Sequence, residues 1–213
     1  PYSSTSENID STFIKTNSKN KMSDLKKLLY IDQIKSAVIF CNKKADIDKV
    51  SKFLKKNKFN TVSLHGDMNQ NLRIKSLERL KDKSAEMLIA SDVAARGIDI
   101  DGLSHVFNYD VPNNPEDYVH RIGRTGRAGK SGKAYTLFDD NDIKAINLIE
   151  KYIKKKVYKA TLDKIFSSQD LPYKNLKPIK EKNNYKSKTF LLPEENYLNF
   201  RESGKIPDFL NKK

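Results

Sequence analysis

The 213-residue sequence contains no tryptophan and a single cysteine, Cys41. One cysteine can form neither an internal disulfide nor a cysteine-based zinc cage, and its isolation favours a reducing compartment, read here as cytoplasmic. At the end of an apolar run, Cys41 reads as a buried small residue and not as a reactive thiol. His65 and His105 have no second ligand at metal spacing, so no metal site is expected. No apolar run reaches membrane-spanning length and no basic start leads into an apolar signal core, so no membrane partner is expected. The chain begins at Pro1, which reads as a fragment whose upstream part lies elsewhere. Hydrophobic residues make up only 37% against 32% charged, so part of the chain is expected to pack poorly.

What the sequence has instead is positive charge. A formal net charge of +14 points to polyanions, with nucleic acid ahead of an anionic membrane surface. The length suits one domain of ordinary size with an appendage. Ile9, Phe13 and Ile14 suggest a short edge strand. Ser23 is a candidate N-cap, with Leu25, Leu28 and Leu29 at helical spacing up to Ile31.

From there, short apolar runs alternate with amphipathic stretches. Strands are expected at 37–41, 61–64, 87–90, 105–109 and 134–138. Helices are expected at 43–56, with Ala45, Val50, Phe53 and Leu54 inward, and at 70–80, with Leu72, Leu77 and Leu80 inward. A short helix at 115–122 and a last one from Asp142, carrying Ile143, Ile146, Leu148, Ile149 and Ile153, complete the pattern. Such alternation implies right-handed crossovers and a mainly parallel sheet covered on both faces. Ligands then sit at the carboxyl ends of the strands, where the loops at Asn42, His65, Ser91 and Asp117–Gly129 converge.

Two of those loops carry chemistry. In Asp117–Gly129, Arg121, Arg124 and Arg127 fall three apart with Gly123 and Gly126 between them. Guanidinium forks match phosphate oxygens and glycine permits close backbone approach, although a basic surface turn would look the same in isolation. In Ser91–Ile100, small residues allow close approach, Ser91 offers a hydroxyl to a phosphate, and Asp99 offers an acceptor to ribose hydroxyls. The same loop also reads as capping and turn residues, Asp92 and Asp99, with Arg96 in an internal salt bridge.

Taken in order, Ala-Val-Ile-Phe-Cys-Asn at 37–42, His-Gly-Asp at 65–67 with Gln70 and Arg73, Ser-Asp-Val-Ala-Ala-Arg-Gly-Ile-Asp at 91–99, and His-Arg-Ile-Gly-Arg-Thr-Gly-Arg at 120–127 form one set. Over roughly residues 8–159 the chain resembles the C-terminal RecA-like half of DEAD-box ATP-dependent RNA helicases. His120 favours this group, since the related DEAH-type helicases usually carry Gln there.

The resemblance implies a three-layer α/β/α domain and a division of labour. Arg124 and Arg127 would be arginine fingers reaching the ATP phosphates across an interdomain cleft. Gly97 would approach those phosphates through its backbone, and Asp99 would hold the ribose. His120 and Arg121 would couple the nucleotide to the RNA side. Asn42, Lys43, Gly66, Asp67, Arg73 and Ser91 would grip RNA phosphates, giving binding largely independent of base sequence.

The cofactor would be ATP, with Mg2+ held by an N-terminal RecA-like domain of the same parent protein, because this sequence has neither the Gly-x-x-x-x-Gly-Lys-Ser/Thr phosphate loop nor Asp-Glu-Ala-Asp. Gly129-Lys130-Ser131 is a decoy, since Arg124 stands where that loop's first glycine belongs. The domain alone is therefore expected to be inactive. Residues 160–213, Lys/Asn/Tyr-rich and broken by Pro172, Pro178, Pro193 and Pro207, read as a basic extension, flexible or loosely packed on the domain, or else stacking bases through its aromatics. A second functional reading keeps the fold as a free-standing RNA-binding or regulatory module without a motor partner.

Overall fold

The computed structural model describes residues 8–30, 34–98, 100–127 and 129–168, with side chains described as far as Ile165. Seven strands run through them: β1 (Ile9–Lys15), β2 (Ala37–Phe40), β3 (Thr61–Leu64), β4 (Met87–Ala90), β5 (His105–Asn108), β6 (Gly132–Phe138) and β7 (Tyr158–Thr161). Between and after them lie α1 (Lys21–Leu28), α2 (Lys44–Lys56), α3 (Gln70–Lys81), α4 (Asp92–Ala95), α5 (Pro115–Ile122), α6 (Ile143–Ile153) and α7 (Leu162–Ser168). Every strand pairing is parallel, in the order β3-β4-β2-β5-β6-β1-β7. This is the α/β class expected from the alternating pattern. The described fold forms a unit that ends at Ile165. No helix among the described residues is long and apolar enough to cross a membrane.

Strands β2, β4 and β5 are buried along their whole length, as strands covered on both faces are; β2 and β4 are continuous apolar runs, and β5 carries the buried polar residues His105 and Asn108. Their registers align Phe40 with Ala90 on one side and with Asn108 on the other, so the three strands end level. The strand order reverses beside β2, and in open sheets of this class the carboxyl ends next to such a reversal are where ligands bind.

Several details differ from the sequence reading: α1 begins at Lys21 behind Asn20, so Ser23 lies inside the helix and does not cap it. The segment at residues 9–15 is an interior strand, paired with β6 on one side and β7 on the other. Phe13 and Ile14 are fully buried, and Phe13 meets Tyr118 and Phe138 edge-on, with ring centroids 5.7 and 6.3 Å apart. Burial of a side chain like Phe13 stabilises by roughly 1.5–3 kcal/mol, which holds β1 inside despite its polar surroundings. Beyond residue 160 regular structure continues, because Ala160 and Leu162 bury against the domain where no periodicity announced it. The rest of the expected extension, from 169 onward, lies outside the described residues.

The helix faces shift as well. In α2 the buried set is Ile47, Val50, Ser51 and Leu54, while Ala45 is exposed and Phe53 half-buried. Spacing of three, four and seven explains the choice. In α3, Leu72 is 49% exposed and Leu80 buried, since this helix follows edge strand β3 and only its later turns meet the core. Ile146, Ile149 and Ile153 form the inner face of α6, leaving Ile143 and Leu148 in solvent.

Candidate functional site

Among the described residues Arg121 is the largest fully buried side chain, with 1% of its surface exposed. Pro115 and the acidic residues Glu116 and Asp117 favour the start of α5, which delivers Arg121 in its last turn beneath the ends of the central strands. All five of its N–H donors have acceptors. Nε and Nη2 donate to the two oxygens of Asp92, each at 2.7 Å. Nη2 also donates to Asn42 Oδ1 at 2.7 Å, and Nη1 to the Asp110 carbonyl at 2.7 Å and Asn108 Oδ1 at 3.4 Å. The guanidinium carbon lies 5.1 Å from the centroid of the Phe40 ring, a cation–π distance.

One side chain therefore ties the loops after β2, β4 and β5 to α5. A buried charge is tolerated only when paired and fully hydrogen-bonded, and here both conditions hold. Its partners are themselves anchored. Asn108 donates to Thr136 Oγ1 at 2.9 Å, Asp110 accepts from the Asn42 backbone N–H at 3.0 Å, and Lys21 Nζ pairs with Asp110 at 2.7 Å.

The same carboxylate environment acts on its neighbours. Burial, and then the charges of Asp110 and Asp46, push the Cys41 thiol far above its ordinary pKa, so it stays protonated. Burial and Asp110 push the Tyr109 phenol up likewise.

The arginine loop leaves α5 and is pinned by Thr125, which is fully buried. Its hydroxyl donates to the Leu103 carbonyl, with the Ser104 carbonyl also in reach at 3.2 Å, while the Leu103 N–H donates to the Arg124 carbonyl at 3.0 Å. Gly126 has φ +68°, and a Cβ there would stand 2.5 Å from Ile9 Cγ1, so both conformation and space call for glycine. On either side of Thr125, Arg124 and Arg127 reach one residue, Asp101. Arg124 Nη1 donates to Asp101 Oδ1 at 3.1 Å and Arg127 Nη1 to Asp101 Oδ2. Their side chains are 19% and 46% exposed.

The remaining candidates occupy the same edge in different states. Asn42 has its side chain engaged, accepting from Arg121 and donating to the Val111 carbonyl at 2.8 Å. Lys43 is exposed at the start of α2. Gly66 is exposed and open, while Asp67 pairs with Lys44. That hydrogen bond and ion pair lower the Asp67 pKa and raise that of Lys44. Arg73 is half-buried and donates to the Ala94 carbonyl at 3.4 Å, linking α3 to α4. Ser91 caps α4 by accepting from the Ala94 N–H at 3.4 Å.

Gly97 is exposed with φ +75° and open space around it, so its backbone is approachable. Asp99 lies outside the described residues. His120 is exposed on the outer side of α5. Arg96 pairs with Asp117 at 3.4 Å, and Asp92 takes the ion pair with Arg121.

Four residues that shape this edge were not singled out in the sequence: Asn108, Asp110, Asp101 and Thr125. The signal for the first was a polar residue inside the strand expected at 105–109. For Thr125 it was a hydroxyl between two glycine-flanked arginines. Asp101 had no local signal, because its role depends on a contact 23 residues away in sequence.

The helicase conserved C-terminal domain family matches residues 20–129. The DEAD-box ATP-dependent RNA helicase CshA of Streptococcus pneumoniae serotype 4 is 40% identical over 153 residues, which cover 72% of this chain and 29% of that protein. Among solved structures, the E. coli DEAD-box protein SrmB, bound to regulator of ribonuclease activity A, superposes with a TM-score of 0.68 at 32% identity, over 73% of this chain and 92% of that one. S. cerevisiae Dbp5 bound to RNA and ADP BeF3 gives a TM-score of 0.68 at 30% identity, over 75% of this chain and 43% of that one. The chain spans about a third of the length of the curated relatives it matches. It belongs to the helicase conserved C-terminal domain family, as a C-terminal domain of the DEAD-box RNA helicase kind.

Proposed function

We propose that this domain is the second motor domain of an ATP-dependent RNA helicase that works in the cytoplasm. In this reading Arg124 and Arg127 reach ATP bound to an N-terminal RecA-like domain, which also holds Mg2+. They stabilise charge that develops as the terminal phosphoryl group departs. Gly97 approaches the phosphates and Asp99 the ribose. The observation that carries the reading is the division among the three arginines: Arg121 is consumed in building the edge, whereas Arg124, half-buried, and Arg127, exposed, reach its surface. Dbp5, of similar fold, has RNA and ADP BeF3 bound, which supports assigning both ligand classes to this domain.

RNA phosphates are assigned to Lys43, Arg73, Ser91 and the backbone at Gly66 and Asp67. Asn42 contributes through the loop it holds, since its side chain is already engaged. His120, exposed at the end of α5, faces the partner domain, and Arg121 transmits between nucleotide and RNA by fixing the loops of both. Contacts of this kind follow the backbone and read no bases, so affinity falls as salt rises. ATP draws the two domains together on a bent strand, and hydrolysis lets them part.

The test is ATP hydrolysis by the chain alone, with and without single-stranded RNA, and again with a DEAD-box N-terminal half added. Inactivity alone and RNA-dependent turnover in the mixture are expected. Turnover by the chain alone would place the ATP chemistry elsewhere, and RNA binding without turnover in the mixture would favour a free-standing RNA-binding module.

A further inference from the structure

Asp101 lies outside the arginine loop yet joins Arg124 and Arg127. Gly102, at φ +72°, turns the chain between Asp101 and Leu103, whose N–H is bonded to the Arg124 carbonyl. The carboxylate is thereby set against the loop. Two guanidinium groups three residues apart repel each other, and a carboxylate with one oxygen on each removes that repulsion while fixing their separation. Each arginine has a second anchor. Arg124 Nη1 also donates to the Ile98 carbonyl at 3.3 Å, and Arg127 Nε donates to the Gly123 carbonyl at 2.7 Å.

The contact with Asp101 uses only Nη1 of each arginine. Nε and Nη2 of Arg124 and Nη2 of Arg127 have no partner among the described residues. With the bridge in place, phosphate oxygens would meet the Nε–Nη2 edge of Arg124, whose side chain is 19% exposed, and Nη2 of Arg127, 46% exposed. The bridge aims the pair without capping it.

We propose that Asp101 is a positioning residue for the arginine pair, holding Arg124 and Arg127 in a common orientation so that both meet the ATP phosphates together. This rests on the reading of those arginines as phosphate ligands. Preorganised donors stabilise the transition state more than the bound substrate, so the effect falls on kcat and spares KM.

The experiment measures RNA-stimulated ATP hydrolysis by the full-length protein containing this chain, with Asp101→Asn, Asp101→Glu, Arg124→Ala, Arg127→Ala and the double variant Asp101→Asn/Arg127→Ala. Asp101→Asn keeps the shape and loses the charge, and is expected to lower kcat about tenfold, with KM for ATP changed less than about twofold. Asp101→Glu is expected to recover part of that loss. In the Arg127→Ala background the same Asn substitution is expected to cost much less, since the bridge is already broken.

Unchanged kcat in Asp101→Asn, alongside losses in Arg124→Ala and Arg127→Ala, overturns the role of Asp101 and leaves the arginine reading standing. A rise in kcat or a fall in KM overturns it too, because Asp101 would then be competing with ATP. Equal cost with and without Arg127 has the same consequence. Full activity in both arginine variants overturns the arginine reading itself.

Discussion

Replacing Arg121 with lysine tests the buried hub while keeping its charge. Arginine supplies five donors to five acceptor contacts, whereas an ammonium group supplies three. At least two acceptors lose their donor, and Asn108, fully buried, has no water to turn to. Each dry, unsatisfied group costs roughly 1–3 kcal/mol, so the total is about 3 kcal/mol before the lost stacking on Phe40 is counted. For a domain of this size, each kcal/mol moves Tm by about 2–4 °C, which gives a fall of about 6–12 °C. The assay is thermal and urea unfolding of the chain followed by circular dichroism, with the urea midpoint falling and the slope unchanged. A Tm within about 2 °C of the parent would refute the idea that this guanidinium holds the edge together.

Thr125→Val removes the hydroxyl that holds the arginine loop to Leu103 and Ser104, and is expected to cost about 1–3 kcal/mol in urea unfolding. Glu150 predicts a pH effect. Burial raises its pKa, but hydrogen bonds from Lys159, the Val157 N–H and Lys156 outweigh that and leave it below the ordinary 4.5. A depressed folded pKa contributes stability above the unfolded pKa and loses it as pH falls through the folded value. Glu150→Gln should therefore be less stable than the parent at pH 7, with the difference shrinking below about pH 4.5 in parallel urea titrations. A difference constant from pH 7 to pH 3 contradicts the sign.

Much of this architecture could be read from the chain. Short runs such as 37–41 and 87–90 are apolar on both faces, and that pattern is hard to satisfy other than by a covered parallel sheet. The ordered motifs at 91–99 and 120–127 brought out the loops that the structure gathers at one edge. Local periodicity does not reveal neighbours, however. β1 looked like an edge because only Ile9, Phe13 and Ile14 are apolar in a polar stretch, and its interior place depends on β7, whose four residues show no apolar run. Leu72 fits the helical period of α3 but meets no core, since packing at a sheet edge is set by what lies opposite. Within the edge itself, the sequence marks charged residues but not their division. Arg121 and Arg124 share one motif, yet one is enclosed by five acceptor contacts and the other reaches the surface.

The most direct test of the account is RNA-dependent ATP turnover by the full-length protein with Arg124→Ala or Arg127→Ala, measured beside RNA affinity and Tm. The account predicts a loss in kcat on the order of a thousandfold, with RNA affinity and folding retained. Turnover within about twofold of the parent in both variants would contradict it, and would return these arginines to the surface of an RNA-binding domain.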